Sequence, residues 1–141
     1  VLRLVVVHLA EQRRTIVFKL DQSDAEYESS LQPPEVHPLK DLPAYPGSTI
    51  RFYARDEQTG FSLATSVTQS SPEAVEGFYR SSLKPDGWTA LLPSASSGQP
   101  ASAARLSVYE KGTALCYVYA GVAGIPAETR ITLLHKQRLL K

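Results

Sequence analysis

One stretch of the chain fixes most of what the rest can be: two alternating apolar runs lead directly into a helix whose start and stop are both written in side chains. Over residues 49–55, Ile50, Phe52 and Ala54 alternate with Arg51, Tyr53 and Arg55, and over 61–67 Phe61, Leu63, Thr65 and Val67 give the next inward row. Asp56-Glu57-Gln58-Thr59-Gly60 between them predicts a hairpin turn. Ser71 is then a suitable N-cap and Pro72 fits the first helical position, where no amide donor is needed. Glu73 and Glu76 suit the positive end of the helix dipole. Val75, Phe78, Tyr79 and Leu83 form one apolar stripe, and Pro85 with Gly87 ends the helix before Trp88.

The flanks extend this pattern. Residues 88–92 read as a short strand, 93–103 as a Ser, Ala, Gly and Pro loop expected to be mobile, and 105–110 and 113–120 as strands joined at Lys111-Gly112. Residues 121–128 are expected to turn and 129–136 to form the last strand. The predicted fold is α+β: an antiparallel β-sheet covered on one face by a single main helix, with an N-terminal β-rich arm. That arm, residues 1–20, reads as a hairpin of runs 2–9 and 14–20 with a polar turn at 11–14. Its β-branched residues favour strands over the competing reading, one amphipathic helix left from a membrane anchor. Residues 21–40, rich in Asp, Glu, Gln and Pro, read as an extended linker, 41–137 as the compact domain and 138–141 as a basic tail.

At 141 residues the chain suits one domain with an arm. Fifteen Lys and Arg stand against fourteen Asp and Glu, which removes the broad positive footprint of a phosphate-neutralising protein. No apolar run is long enough to span a bilayer as a helix, and residues 1–10 fit a secretory signal poorly. The chain begins with Val1 and contains no Met, as expected of a processed or truncated product or of an alternative start codon.

Candidate chemistry is sparse. Cys116, the single cysteine, lies in an apolar run and reads as a buried thiol. His8, His37 and His135 are too dispersed for a metal site, and Ser71 is a cap. Glu73, Glu76 and Asp86 are the carboxylates that could serve as acid and base, but Glu73 and Glu76 are expected to be solvated on the first helical turn. Gly121 and Gly124 lack a phosphate-loop context. The sequence therefore points to no catalytic, cofactor or metal residues and no cofactor. Tyr53, Tyr109, Tyr117 and Tyr119 with Arg51, Arg55 and Arg105 could line a base-stacking strip. Tyrosine also suits any half-buried pleated surface, and the alternation places Tyr117 and Tyr119 with Leu115, facing the core, so no nucleic-acid partner is expected.

The order Leu42-Pro43-Ala44-Tyr45-Pro46-Gly47, then Ser71-Pro72-Glu73-Ala74-Val75-Glu76-Gly77-Phe78-Tyr79, Gly87-Trp88 and Leu106-Ser107-Val108-Tyr109-Glu110-Lys111-Gly112 resembles small domains of bacterial lipoproteins and membrane-tethered proteins of unknown function. The resemblance covers about residues 41–136. It implies a helix packed on an antiparallel sheet, commonly outside the cytoplasm, and carries over no functional residue. Tyr45, Phe78, Tyr79 and Trp88 are the expected structural anchors, Phe78 and Trp88 as buried ones. Arg51, Tyr53 and Arg55 are the candidate contact residues. The expected function is that of a non-enzymatic accessory domain. It would bind a protein partner or a second copy through the N-terminal arm or a sheet edge. A carrier of small apolar ligands, with a cleft between helix and sheet, is the alternative, and a hydrolase or transferase ranks third.

Overall fold

Why the sheet takes six strands and one helix follows from where the apolar alternation is interrupted. The computed structural model describes residues 1–9, 14–32, 39, 41–56, 58–92, 98–124 and 127–137, without the side chains of residues 5, 7–9, 14, 16 and 18. The chain divides into two compact units, Val1–Gln32 and Pro33–Lys141.

In the first unit, β1 (Leu2–Leu9) and β2 (Arg14–Asp21) pair antiparallel, with Leu4 opposite Lys19 and Val6 opposite Val17. Most of the polar turn expected between them lies outside the described residues. The stretch expected to be an extended linker instead opens with helix α1 (Asp24–Ser30). Its cause is a capping box: Glu26 N donates to Ser23 Oγ (3.3 Å) while Ser23 N donates to Glu26 Oε2 (2.8 Å). The Arg3 guanidinium lies 4.4 Å from the Tyr27 ring centroid, tying β1 to α1. The paired prolines and His37 lie outside the described residues, as does the basic tail.

The second unit is α+β. Strands β3 (Thr49–Asp56), β4 (Phe61–Thr68), β5 (Thr89–Ala90), β6 (Arg105–Lys111), β7 (Ala114–Ala123) and β8 (Glu128–Gln137) form an antiparallel sheet in the order β3-β4-β8-β7-β6-β5. Helix α2 (Pro72–Leu83) packs on it against β6 and β7. Ser71 Oγ accepts from Ala74 N (3.2 Å) and Pro72 opens the helix. At the other end Gly87, with φ at 85°, lets its own N donate to Lys84 O (3.1 Å) and Trp88 N donate to Leu83 O (3.2 Å). Those paired bonds bring the indole back under the helix.

The core joins Val75, Tyr79 and Leu83 of α2 with Ala64, Cys116, Val118, Ala120, Ile131, Leu133, Tyr109 and Trp88, and adds Leu39 and Leu42 from the entry segment. By register, Tyr53, Ala64, Leu133, Val118 and Ser107 share the α2 face. The other face carries Ala54, Leu63, Leu134, Tyr117 and Val108, and there too Leu63 and Leu134 are fully buried. The row expected to be the inward face of β4 lies on the side away from α2, and of it only Leu63 is buried, whereas Ser62, Ala64, Ser66 and Thr68 are buried on the α2 side.

A β-bulge corrects the expected alternation in β3. The register shifts between Ile50 and Phe52, so Ile50 pairs with Ser66 and joins the α2 face, opposite to Phe52 and Ala54. Further along, β7 runs through Gly121 to Ala123 rather than turning at residue 121. A Cβ on Gly121 would lie 2.5 Å from Tyr119 Oη, so glycine is what allows that ring to lie along its own strand. The expected strand at 88–92 is reduced to Thr89–Ala90.

Candidate functional site

Three places gather unsatisfied surface or buried charge. The first is the outer face of the β1–β2 hairpin. Leu2, Leu4 and Val6 project from alternate positions of β1, and Val17 stands across from Val6. They are 57 %, 59 %, 57 % and 56 % exposed, which makes them a contiguous aliphatic strip in water. Exposed Lys19 and Asp21 border it, opposite Leu4 and Leu2. Strand alternation produces the strip, because the alternate positions Leu2, Leu4 and Val6 of β1 are large aliphatics.

The second is the free side of β3. This strand ends the sheet, and no described strand pairs with its outer edge. Arg51 and Arg55 are exposed and Tyr53 is half-buried. All three candidate contact residues therefore sit on one edge strand, with Arg51 at the bulge.

The third is a buried charge cluster that the sequence reading placed in solvent. Glu76 is 5 % exposed and so is Arg105. Glu76 Oε1 lies 3.3 Å from Arg80 Nη2, and its Oε2 lies 3.8 Å from Arg105 Nε. Arg105 Nη1 donates to Gln99 Oε1 (2.5 Å), and its Nη2 donates to Pro100 O (3.1 Å) and Gln99 O (3.4 Å). Glu73 N donates to Ala101 O (3.3 Å). Segment 98–104, which falls in the loop expected to be mobile, is therefore clamped between α2 and β6. Residues 93–97 lie outside the described ones. Glu76 follows Pro72 by four residues and precedes Tyr79 and Leu83 by three and seven, so helical spacing put it on the buried stripe all along. Its sign obscured that position.

The same cluster dismantles the aromatic and basic strip. Arg105 and Tyr109 are buried on the α2 face, which Tyr53 and Arg55 also share, whereas Tyr117 and Tyr119 are half-buried on the opposite face. Burial raises the Tyr109 phenol, partly offset by a hydrogen bond with Ser107.

Among the anchors, Tyr79 (1 %) and Trp88 (4 %) are buried, while Tyr45 and Phe78 are partly buried against the core. Phe78 is thus a rim residue rather than a fully buried anchor. Its ring meets Tyr45 edge-on at 5.2 Å and Tyr79 at 5.1 Å between centroids. Burial also pushes the Cys116 thiol up to about 12. Near Trp88, Asp41, Leu42, Pro43, Asp86 and Lys111 line a groove of about 380 Å³. His135 stacks edge-on against Trp88 with 6.1 Å between centroids. Burial lowers its pKa, and the Asp41 carboxylate opposes that shift. Glu73 is exposed on the first turn of α2. Among the described residues no three His, Cys, Asp or Glu side chains gather as metal ligands, and no helix is long and apolar enough to cross a membrane.

No family model, no curated protein and no solved structure matches this chain.

Proposed function

We propose that this chain is a non-enzymatic interaction domain that binds protein through the outer face of its N-terminal hairpin. One observation carries the reading: Leu2, Leu4, Val6 and Val17 are each more than half exposed on one face of a two-stranded sheet. A hairpin is marginal by itself in water, so covering such a strip with another protein surface removes apolar area from solvent and steadies the strands together.

Several titratable groups are held by structural contacts, which supports the same reading. Glu76 holds two arginines, the Asp56 carboxylate accepts from Gln58 N, Thr59 N and Thr59 Oγ1, and the Cys116 thiol is buried. The apolar-carrier alternative needs an open cleft beneath α2, where Val75, Leu83, Cys116 and Ile131 are packed to 0 % exposure. The groove at Asp41, Asp86 and Lys111 has a charged lining instead. The resemblance to domains of bacterial envelope proteins supports a place outside the cytoplasm.

The test is native size-exclusion chromatography of extracts from cells producing the full chain, alongside a Leu4→Lys, Val6→Lys double variant. The wild type is expected in a discrete larger complex that the variant loses. Identical elution of the two, with both monomeric, would overturn the proposal.

A further inference from the structure

The outer face of the hairpin carries a charge pattern as well as an apolar one. Three cross-strand rows follow one another along it: Leu2 beside Asp21, Leu4 beside Lys19, and Val6 beside Val17. All six residues are exposed, and among the described residues neither Lys19 nor Asp21 belongs to an ion pair. In these rows β1 supplies only aliphatics, while β2 supplies one cation and one anion at adjacent positions of the face. A covering surface of single sign sets one of the two against a like charge. An uncharged apolar surface leaves both without a partner.

The face does fit its own image. Two sheets packed face to face lie about 10 Å apart, a gap that a lysine and an aspartate side chain bridge together. Let two copies stack with their β1 strands antiparallel, about a two-fold axis passing between the Leu2 and Leu4 rows. Leu2 of each copy then meets Leu4 of the other, and Lys19 of each meets Asp21 of the other. Val6 and Val17 lie over the end of the other copy where Val1 is 44 % exposed. Moving the axis onto the Leu4 row sets Lys19 against Lys19, so the charges select the register as well as the partner. A two-fold contact uses one patch twice and needs this self-complementarity.

We propose that the partner bound by the hairpin face is a second copy of this chain, in a two-fold dimer closed by Leu2–Leu4 contacts and two Lys19–Asp21 ion pairs. The inference rests on the reading of the hairpin as a docking surface and names its occupant. Leu2, Leu4, Val6 and Val17 from each copy make a small interface beside that of a permanent dimer, so the two copies associate and separate with protein concentration.

The experiment is sedimentation equilibrium of the purified full chain over a concentration series. It compares the wild type with Lys19→Asp, with Asp21→Lys, with both changes in one chain, and with the Leu4→Lys, Val6→Lys variant. The wild type is expected to pass from monomer to dimer mass as concentration rises, and the aliphatic variant to stay monomeric. Each single charge reversal is expected to weaken dimerisation at least about tenfold, by setting like charges across the contact, and the combined reversal to restore it to within about threefold. In a mixture of Lys19→Asp chains with Asp21→Lys chains, native mass spectrometry is expected to show the mixed dimer in excess of either homodimer. Circular dichroism is expected to be unchanged throughout, since every altered side chain is exposed. A monomer at every concentration, while extracts still hold a larger complex that the aliphatic variant loses, would overturn the second copy as partner and leave the interaction reading standing. Monomers with no such complex would end both. A dimer indifferent to the aliphatic variant or to the single reversals, or one that the combined reversal does not restore, would overturn the proposal by placing the contact elsewhere.

Discussion

The hairpin unit and the sheet unit are built from the same kinds of strand residue, yet they end in opposite states. In the sheet, Leu63 and Ile131 are at 0 % exposure, whereas Leu2, Leu4, Val6 and Val17 of the hairpin are all above half. The difference is one of neighbours. A central strand such as β8 has β4 and β7 at its edges, while among the described strands β1 has only β2 beside it, with a helix as short as Asp24–Ser30 in the same unit. Apolar alternation specifies that a face wants burial, and topology decides whether the chain supplies it.

The contrast breaks most visibly if the interior of the sheet unit is opened. Tyr79→Ala removes the largest fully buried side chain of α2 and is expected to cost about 3–5 kcal/mol in chemical denaturation. A cost under about 1 kcal/mol would mean that the helix does not pack as described. Glu76→Ala leaves Arg105 buried without its carboxylate and is expected to cost about 3 kcal/mol, with much of the loss recovered when Arg105→Met is added. If the second change deepens the loss, the pair is not the unit that holds segment 98–104.

What could be read from the sequence follows the same division. The caps of α2, the Gly87-Trp88 exit and the strand runs were legible because each is a local signal: a side-chain oxygen before an apolar stripe, a glycine where φ must be positive, an alternation of two. The burial of Glu76 and Arg105 was not, because a charge is ordinarily solvated and only the fold brings its partner from β6 to α2. The bulge that turns Ile50 to the α2 face leaves no mark in the alternation it interrupts. Helix α1 was hidden by acidic composition, although Ser23 and Glu26 stand at capping-box spacing. The three candidate contact residues were visible as an alternating trio, but their place on an edge strand depends on the strand order, which no local pattern contains.

On the hairpin the expected effect on stability is small. The Leu4→Lys, Val6→Lys variant is expected to stay within about 0.5 kcal/mol of the wild type, since both side chains already face water. A loss above about 2 kcal/mol would make the strip part of the fold and erase the contrast. Smaller again is the response of His135. Its pKa is lowered in the folded chain, so the fold favours the neutral ring, and that contribution is complete above the unfolded value of about 6.5 and lost as pH falls from there through the folded value. A proton-detected titration is expected to show His135 below the ordinary midpoint, and Asp41→Asn to lower it further. A midpoint raised by Asp41→Asn would contradict the opposing role of that carboxylate.

The docking role of the hairpin face is tested most directly by photo-crosslinking in cells producing the full chain, with a photoreactive amino acid replacing Leu4 in one version and Ser81, exposed on α2, in another. The proposed docking face predicts an adduct of defined mass from the Leu4 position, reduced at least about tenfold by Val17→Lys in the same chain, and none from the Ser81 position. Equal adducts from both positions, or none from Leu4, would contradict it.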